Sequence, residues 1–423
     1  MSLLSIVFVS GYLVIALERR LRVEKAATAL ILGCALWVIL ASGGGGGHEL
    51  LPALGEHLSE IAAIVFFLLG AMTIVEVIDE HEGFDLITSR IRTKNLRALL
   101  WIVSLLSFFL SAFLDNLTTT IVMIAIARKL VAKKEDRLVF AGMIVIAANA
   151  GGAFSPIGDV TTTMLWIGGR ISALRIIARL FAPALVSLLV PLAAMTFVLK
   201  GDATGERSGV EAGSAVSAAE RGAVLLVGIV LLVGVPVFKM LTGLPPYLGI
   251  LLALGILWLL TELMHRGKPE HLRAGLGPGR AFAEIDHASL LFFLGILLAV
   301  AALQTAGALA AVSAWLDAKV GNQSLIVVIL GFLSAIVDNV PLVSAAMGMF
   351  SPDKFPMDHR IWELLAYCAG TGGSMLVIGS AAGVAAMGIE RISFGWYMKR
   401  ITPFALLGFL AGAAVYLGLT DRF

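Results

Sequence analysis

The stretch FLDNLTTT, Phe113 to Thr120, sets a carboxylate, an amide and three hydroxyls inside a run of hydrophobic residues. Ionisable groups at membrane depth are costly, and where they occur they mark ion pathways, proton relays or paired charges. A second polar interruption, NAGGAFSPIGDVTTT, carries Asn149, Ser155, Asp159, Thr161, Thr162 and Thr163. Gly151, Gly152 and Gly158 admit unusual backbone angles and Pro156 withholds a donor, so this stretch cannot be one continuous helix. Unwound backbone inside a membrane is tolerated where it is buried in protein or lines a cavity. Its freed carbonyls, together with the side-chain oxygens of Asp115, Asn116, Thr118 and Thr119, form a hard-oxygen set with no thiol or imidazole nearby. Such a set suits a small hard cation.

The elements that must carry these groups are membrane helices. The chain has 423 residues, of which 59% are hydrophobic and 14% charged, with mean hydropathy +0.96. Soluble proteins use about 25% charged residues, so an all-α polytopic membrane protein is expected. Apolar runs of spanning length occur at 2–17, 26–41, 60–78, 180–199, 222–241, 246–264, 288–303 and 402–419. They lack the alternation of a transmembrane barrel. The first run has no basic leader and reads as a retained span. A net charge of +2 gives no case for nucleic acid, and Cys34 and Cys368 sit apart in apolar runs, as packing residues. ERRLRVEK, ARKLVAKKEDR and HRGKPEHLR read as cytoplasmic, which puts the glycine run Gly43 to Gly47 outside.

The chain repeats itself. FLSAFLDN (109–116) and FLSAIVDN (332–339) share six of eight residues, and GGAFSPIG (151–158) aligns with GGSMLVIG (372–379). Each half then holds three spans, a re-entrant helical hairpin, a broken transmembrane helix and a final span. The first repeat covers 1–200, with its hairpin near 98–130 and broken helix near 138–168. A cytoplasmic linker follows at 201–221. The second repeat covers 222–423, with its hairpin near 323–350 and broken helix near 360–390. Five crossings per half invert the second repeat. Interruptions at matching positions of two halves point to a transport site near the midplane.

The second half offers Ser334, Asp338, Asn339, Thr371, Ser374 and Ser380, the last aligned with Asp159. Acidity therefore concentrates in the first half, where the principal cation site is expected, with Asp159 and Asp115 as proton-exchangeable ligands. Burial favours the protonated form of a carboxylate and a bound cation favours the ionised one, so one group can hold either ion. Blander roles stand beside these. Asp115, Asp159 and Asp338 can cap the helices that follow them. The threonines can bond carbonyls one turn back. Glu76 and Asp79 read as lining an entrance funnel or, more simply, as snorkelling; His81, nearest that entrance, as a pH sensor or, more simply, a solvated histidine; and Met143, Met347 and Met349 as packing.

FLSAFLDNLTTT, NAGGAFSPIGDVTTTMLW and FLSAIVDNVPLVSA together resemble the NhaD-type sodium/proton antiporters of the ion transporter superfamily, over nearly the whole chain. The resemblance implies two inverted repeats and export of Na+, or Li+, against H+ at alkaline pH, hence a part in pH homeostasis. Family positions match at Asp115, Asn116, Asn149, Asp159, Thr161, Thr162, Ser334 and Asn339, and in the second break at Thr371, Ser374 and Ser380. Na+ is expected principally at Asp115, Asn116, Asn149 and Asp159. No enzyme activity and no cofactor are implied. The implied partners are lipid, the transported ions and a second copy of the chain, in a bacterial inner membrane. A carboxylate or oxyanion carrier of the same superfamily is the nearest rival, although its hairpin tips typically read Ser-Asn-Thr and an aspartate would repel its substrate. An intramembrane aspartyl protease lacks its Gly-x-Gly-Asp signature here, and a passive channel would show ion flow without proton coupling.

Overall fold

The computed structural model describes residues 3–16, 23–42, 46–84, 86, 93–199, 201–202, 216–269, 276–336 and 338–420. Residues 18–22 of ERRLRVEK, 43–45 of the glycine run, 203–215 of the linker and 270–275 lie outside them. The described chain is helical, with no strand. The first half runs α1 (Leu3–Ala16), α2 (Lys25–Leu40), α3 (Gly46–Glu80), α4 (Leu96–Ser111), α5 (Asn116–Leu130), α6 (Lys134–Ala153), α7 (Val160–Ile167) and α8 (Ala173–Thr196). The second runs α9 (Ala218–Thr242), α10 (Pro246–His265), α11 (Pro278–Glu284), α12 (His287–Thr305), α13 (Ala308–Val320), α14 (Gln323–Leu333), α15 (Asn339–Met349), α16 (Arg360–Gly372), α17 (Ala381–Glu390), α18 (Phe394–Arg400) and α19 (Thr402–Thr420).

Among the described residues, seven helices are long and apolar enough to cross a membrane: α3, α6, α8, α9, α10, α12 and α19. The apolar runs at 2–17 and 26–41 form the shorter helices α1 and α2. A helix not anticipated from hydropathy, α13, meets α14 at 117°.

Local sequence dictates where the interrupted helices start. Asp115 has extended backbone angles and accepts the Thr118 N–H, so α5 begins at the hairpin tip. Asp159 does the same for α7 through Thr161, and Ser380 for α17 through Gly383. Each side chain satisfies one of the donors a helix start leaves without a partner.

The duplication seen in sequence recurs in packing at matched positions. Ser111 donates to the Ala148 carbonyl at 2.6 Å, and its counterpart Ser334 donates to Ala369 at 2.8 Å. Each hydroxyl pins a hairpin to the helix before a break. A Cβ on Gly151 would meet the Phe108 carbonyl, and one on Gly372 the Gly331 carbonyl. Gly158 likewise faces the backbone of Ser111 and Ala112, and Gly379 that of Ser334 and Ala335. Glycine is required at these places because backbone passes against backbone.

The spans pair by the same symmetry. Helix α2 lies on α12, with Gly33 against Gly295, and α10 lies on α3, where Gly70 accepts Ile250. The final spans α8 and α19 pack together, Gly408 and Gly412 opposing the carbonyls of Ser187 and Pro183. Small residues at crossings let helix backbones approach, which is how helices associate where lipid supplies no hydrophobic drive. The two broken helices also touch, Gly370 of α16 against Ala153 of α6.

Candidate functional site

The backbone leaves helix after Ala153, crosses 154–159, and re-enters it at α7. The Asp159 carboxylate lies in that gap and is 1% exposed. Its Oδ1 accepts the Thr161 N–H at 2.8 Å and the Thr161 hydroxyl at 2.7 Å. Its Oδ2 accepts the Asn116 amide, from the first hairpin tip, at 2.6 Å. The Asn339 amide, from the second tip, reaches both oxygens at 3.3 and 3.4 Å. One carboxylate thus gathers both hairpin tips. Hydrogen bonds to an ionised acceptor are about twice as strong as neutral ones.

The network continues into the second break. The Asn116 amide also donates to Asn149 Oδ1 at 2.9 Å, and Asn149 Nδ2 faces the hydroxyls of Ser374 and Ser380, each at 2.9 Å. Asp159, Asn116, Asn149, Thr161, Asn339, Ser374 and Ser380 therefore form one buried set. The other sequence candidates stand apart from it. Ser155 donates to the Ala112 carbonyl, Thr162 to Asp159 O, Ser334 to Ala369 and Thr371 to Tyr367. These bonds hold backbone to backbone.

The oxygens of Asp115 accept the Thr118 N–H at 2.8 Å and the Thr118 hydroxyl at 2.6 Å. Asp338 faces the other repeat, with Lys25 Nζ 3.8 Å from its Oδ2. Among the described residues neither Asp115 nor Asp159 has an ion-pair partner within 4.0 Å, and no cluster of three His, Cys, Asp or Glu side chains forms a metal cage. Na+ as substrate would rely on single carboxylates with amide, hydroxyl and carbonyl oxygens.

Two cavities of similar size flank the site. One, of about 370 Å³, is lined by Lys25, Glu76, Asp79, Thr118, Glu284 and Asp286. Glu76 and Asp79 line this cavity, the funnel role rather than the snorkelling one. A small void of about 40 Å³ leads on from it, sharing Leu117, Ser289 and Ala381, and ends at Asp115 and Asn116. The second large cavity, of about 380 Å³, is lined by His57, Glu60, Arg170 and Gln304.

Several polar groups take places that local sequence does not indicate. The hydroxyls of Thr119, one of the expected oxygen set, and of Thr120 on α5 are buried without a hydrogen-bond partner among the described residues. His81 is not solvated: it is fully buried, 2.8 Å from Nε2 of His265, and burial pushes its basicity down. Buried Glu390 is clasped by Arg128 at 2.6 Å and Arg137 at 3.1 Å. Buried Glu363 is clasped by Arg175 at 2.6 Å and Arg179 at 3.4 Å, with Tyr416 donating to it at 2.7 Å. The available signal was an acid inside an apolar run, as in IWELLAY and MGIERIS.

Comparison with known proteins adds to this geometry. A family described as citrate transporter matches residues 12–362. "Sodium/proton antiporter 1" of Arabidopsis thaliana is 49% identical over 418 residues, covering 98% of this chain and 72% of that one. "Na(+)/H(+) antiporter NhaD" of Alkalimonas amylolytica is 34% identical over 448 residues, covering 98% of this chain and 89% of that one. Among solved structures, the YdaH transporter of Alcanivorax borkumensis superposes with a TM-score of 0.59 at 13% identity, over 93% of this chain and 97% of that one, a likeness of fold alone.

Proposed function

The chain belongs to the family of NhaD-type sodium/proton antiporters, within the wider group described as citrate transporter, and from that premise we propose that it exchanges Na+ or Li+ for H+ by competition for Asp159. The observation that carries the proposal is one buried carboxylate, without a basic partner, on which both hairpin tips converge. Its neighbours suit two occupants. Asn116 and Asn339 present amide N–H groups to the ionised carboxylate, and a half-turn of either amide presents its oxygen instead. An amide oxygen can accept the proton of a neutral Asp159 or complete the shell of a Na+ ion. Asn149 follows the turn, because the Ser374 and Ser380 hydroxyls can donate as well as accept.

Alternating access would then expose Asp159 in turn to the acid-lined cavity, through Asp115 and Thr118, and to the cavity beside Arg170. In this reading the repeats divide within 201–221, the functional unit is a homodimer, and the protein works in an energised membrane such as the bacterial inner membrane. The test uses purified protein in vesicles with an acidic interior and a pH-sensitive dye. Adding Na+ or Li+ outside at alkaline pH should alkalinise the lumen. A gradient indifferent to both ions would end the proposal.

The wider family's description supports a second reading, carboxylate transport. Labelled citrate offered to the same vesicles separates the two, since Asp159 holds negative charge where a carboxylate substrate would have to bind.

A further inference from the structure

The two hairpin tips carry the same Asp-Asn pair, but the two aspartates are satisfied in different ways. Asp115 is held by Thr118, three residues on, through both N–H and hydroxyl. The matching position after Asp338 is Pro341, which has neither group to offer. Asp338 retains one long bond, from the Val340 N–H at 3.3 Å. The first repeat makes up the difference. Lys25, at the start of α2, places its ammonium 3.8 Å from Asp338 Oδ2, and the Tyr12 hydroxyl of α1 accepts the Asp338 N–H at 3.0 Å. The same ammonium rests over the Phe292 ring of α12, 4.4 Å from its centroid, which fixes it from the other side.

Lys25 also lines the cavity of about 370 Å³ that holds Glu76, Asp79, Glu284 and Asp286. These acids would draw cations toward the tips. A cation entering there meets Lys25, already paired with Asp338, and through the small void Asp115, which has no basic partner among the described residues. The side chains are partly screened, 21% exposed for Lys25 and 17% for Asp338, so the pair is neither fully solvated nor sealed.

We propose that Lys25 is a tethered internal cation that fills the second hairpin's cation position, so that Asp338 takes no part in exchange and coupling runs through the first hairpin and Asp159 alone. The inference rests on the antiport reading above and goes beyond it by assigning what limits the number of ions bound. The near-symmetry of the fold would otherwise supply a carboxylate at each tip. Proline at 341 withholds the donors that Thr118 gives Asp115, and lysine at 25 sets a permanent charge beside Asp338.

The test compares purified full-length wild type with Lys25→Met, Lys25→Arg and the double variant Lys25→Met/Asp338→Asn. Equilibrium binding of radiolabelled Na+ and the Na+ dependence of exchange in vesicles are both measured. Wild type should bind about one Na+ per chain, away from this pair, with a Hill coefficient of about 1, whereas Lys25→Met should gain about one more and move toward 2, because an unpaired carboxylate invites a cation. Lys25→Arg, which keeps the charge, should behave as wild type. So should the double variant, which removes the carboxylate together with its counter-charge. Unchanged Na+ binding and cooperativity in folded Lys25→Met would overturn the proposal. Where Lys25→Met does not fold, the double variant decides. Wild-type coupling in it supports the proposal, and loss of folding or coupling overturns it. Wild type that neither binds nor exchanges Na+ would instead sink the antiport reading, a result visible before any variant is compared.

Discussion

Replacing Asp159 by asparagine should leave the fold in place and remove exchange. The surroundings show why the fold survives. Thr161 directs two donors at Oδ1, so the new amide must keep its oxygen there and place its nitrogen at the Oδ2 position. That nitrogen faces the Asn116 amide, which was 2.6 Å from Oδ2, and Asn116 must turn over. Asn149 then turns in response, and the hydroxyls of Ser374 and Ser380 donate to it instead of accepting. Every bond but the long ones from Asn339 is re-formed, so the stability change should stay within about 1–2 kcal/mol, the net worth of a hydrogen bond or two. Cation binding has no such repair. A Na+ ion about 2.4 Å from a carboxylate oxygen, the contact length of hard cations with oxygen, gains about 7 kcal/mol at an effective dielectric constant of about 20. If desolvation offsets more than half, about 3 kcal/mol remains, or roughly a 100-fold loss of affinity. The assay pairs thermal unfolding in detergent with dye-monitored exchange over a wide Na+ range. An asparagine variant whose half-saturating Na+ lies within tenfold of wild type would refute the role given to the charge. One that unfolds many degrees early would refute the turning of the amide chain.

Three further outcomes follow from the same geometry. Thr161→Val removes the hydroxyl bond to an ionised acceptor, a bond worth about 1.5–3 kcal/mol, and should cut exchange at limiting Na+ by tenfold or more, while Thr161→Ser retains it; equal rates in the two would separate the hydroxyl from function. Gly158→Ala drives a Cβ into the backbone of Ser111 and Ala112 and should destabilise the protein by about 1–3 kcal/mol or more, read as a lower unfolding temperature, and an unshifted melt would contradict the close approach. Burial lowers the basicity of His81, so its contribution is present above its unfolded value of about 6.5 and is lost as pH falls below it; the unfolding temperature should drop between pH 7.5 and 5.5, less so in His81→Gln, and identical pH profiles would count against it.

What could be read from the sequence was what local signals encode. The hairpin tips and breaks are legible because Gly, Pro, Asp and Asn interrupt long apolar runs, and a repeat of such interruptions is hard to mistake. The positions of Asp159, Asn116 and Asn149 could be named for the same reason. How side chains pair across the fold was not legible. Lys25 meets Asp338 and Arg175 meets Glu363 from opposite halves of the chain, and nothing in the local pattern chooses those partners. The engagement of Asp115 by Thr118 was equally hidden, since Thr118 can be read as a ligand or as the group that holds Asp115. His81 looked solvated because its partner, His265, lies at the end of a different span.

Capping and ion binding are different roles for these acids, yet at Asp159 they require the same placement. A helix start directs unpaired N–H groups and a positive partial charge at whatever precedes it. In a transporter, that is a seat for an anion. Helix α7 fills its seat with a residue of its own chain: Asp159 accepts from Thr161 and stays 1% exposed. The opposite half-helix, α17, is capped by Ser380, which is neutral. An anionic substrate approaching the pair would find one seat taken by a like charge. In the proposed exchange a cation would meet a carboxylate whose ionised form the helix start already stabilises, so little would have to be rearranged when a proton leaves and Na+ arrives. The cap thus lowers the cost of holding a negative charge at membrane depth, and that is the condition a cation/proton exchanger has to meet.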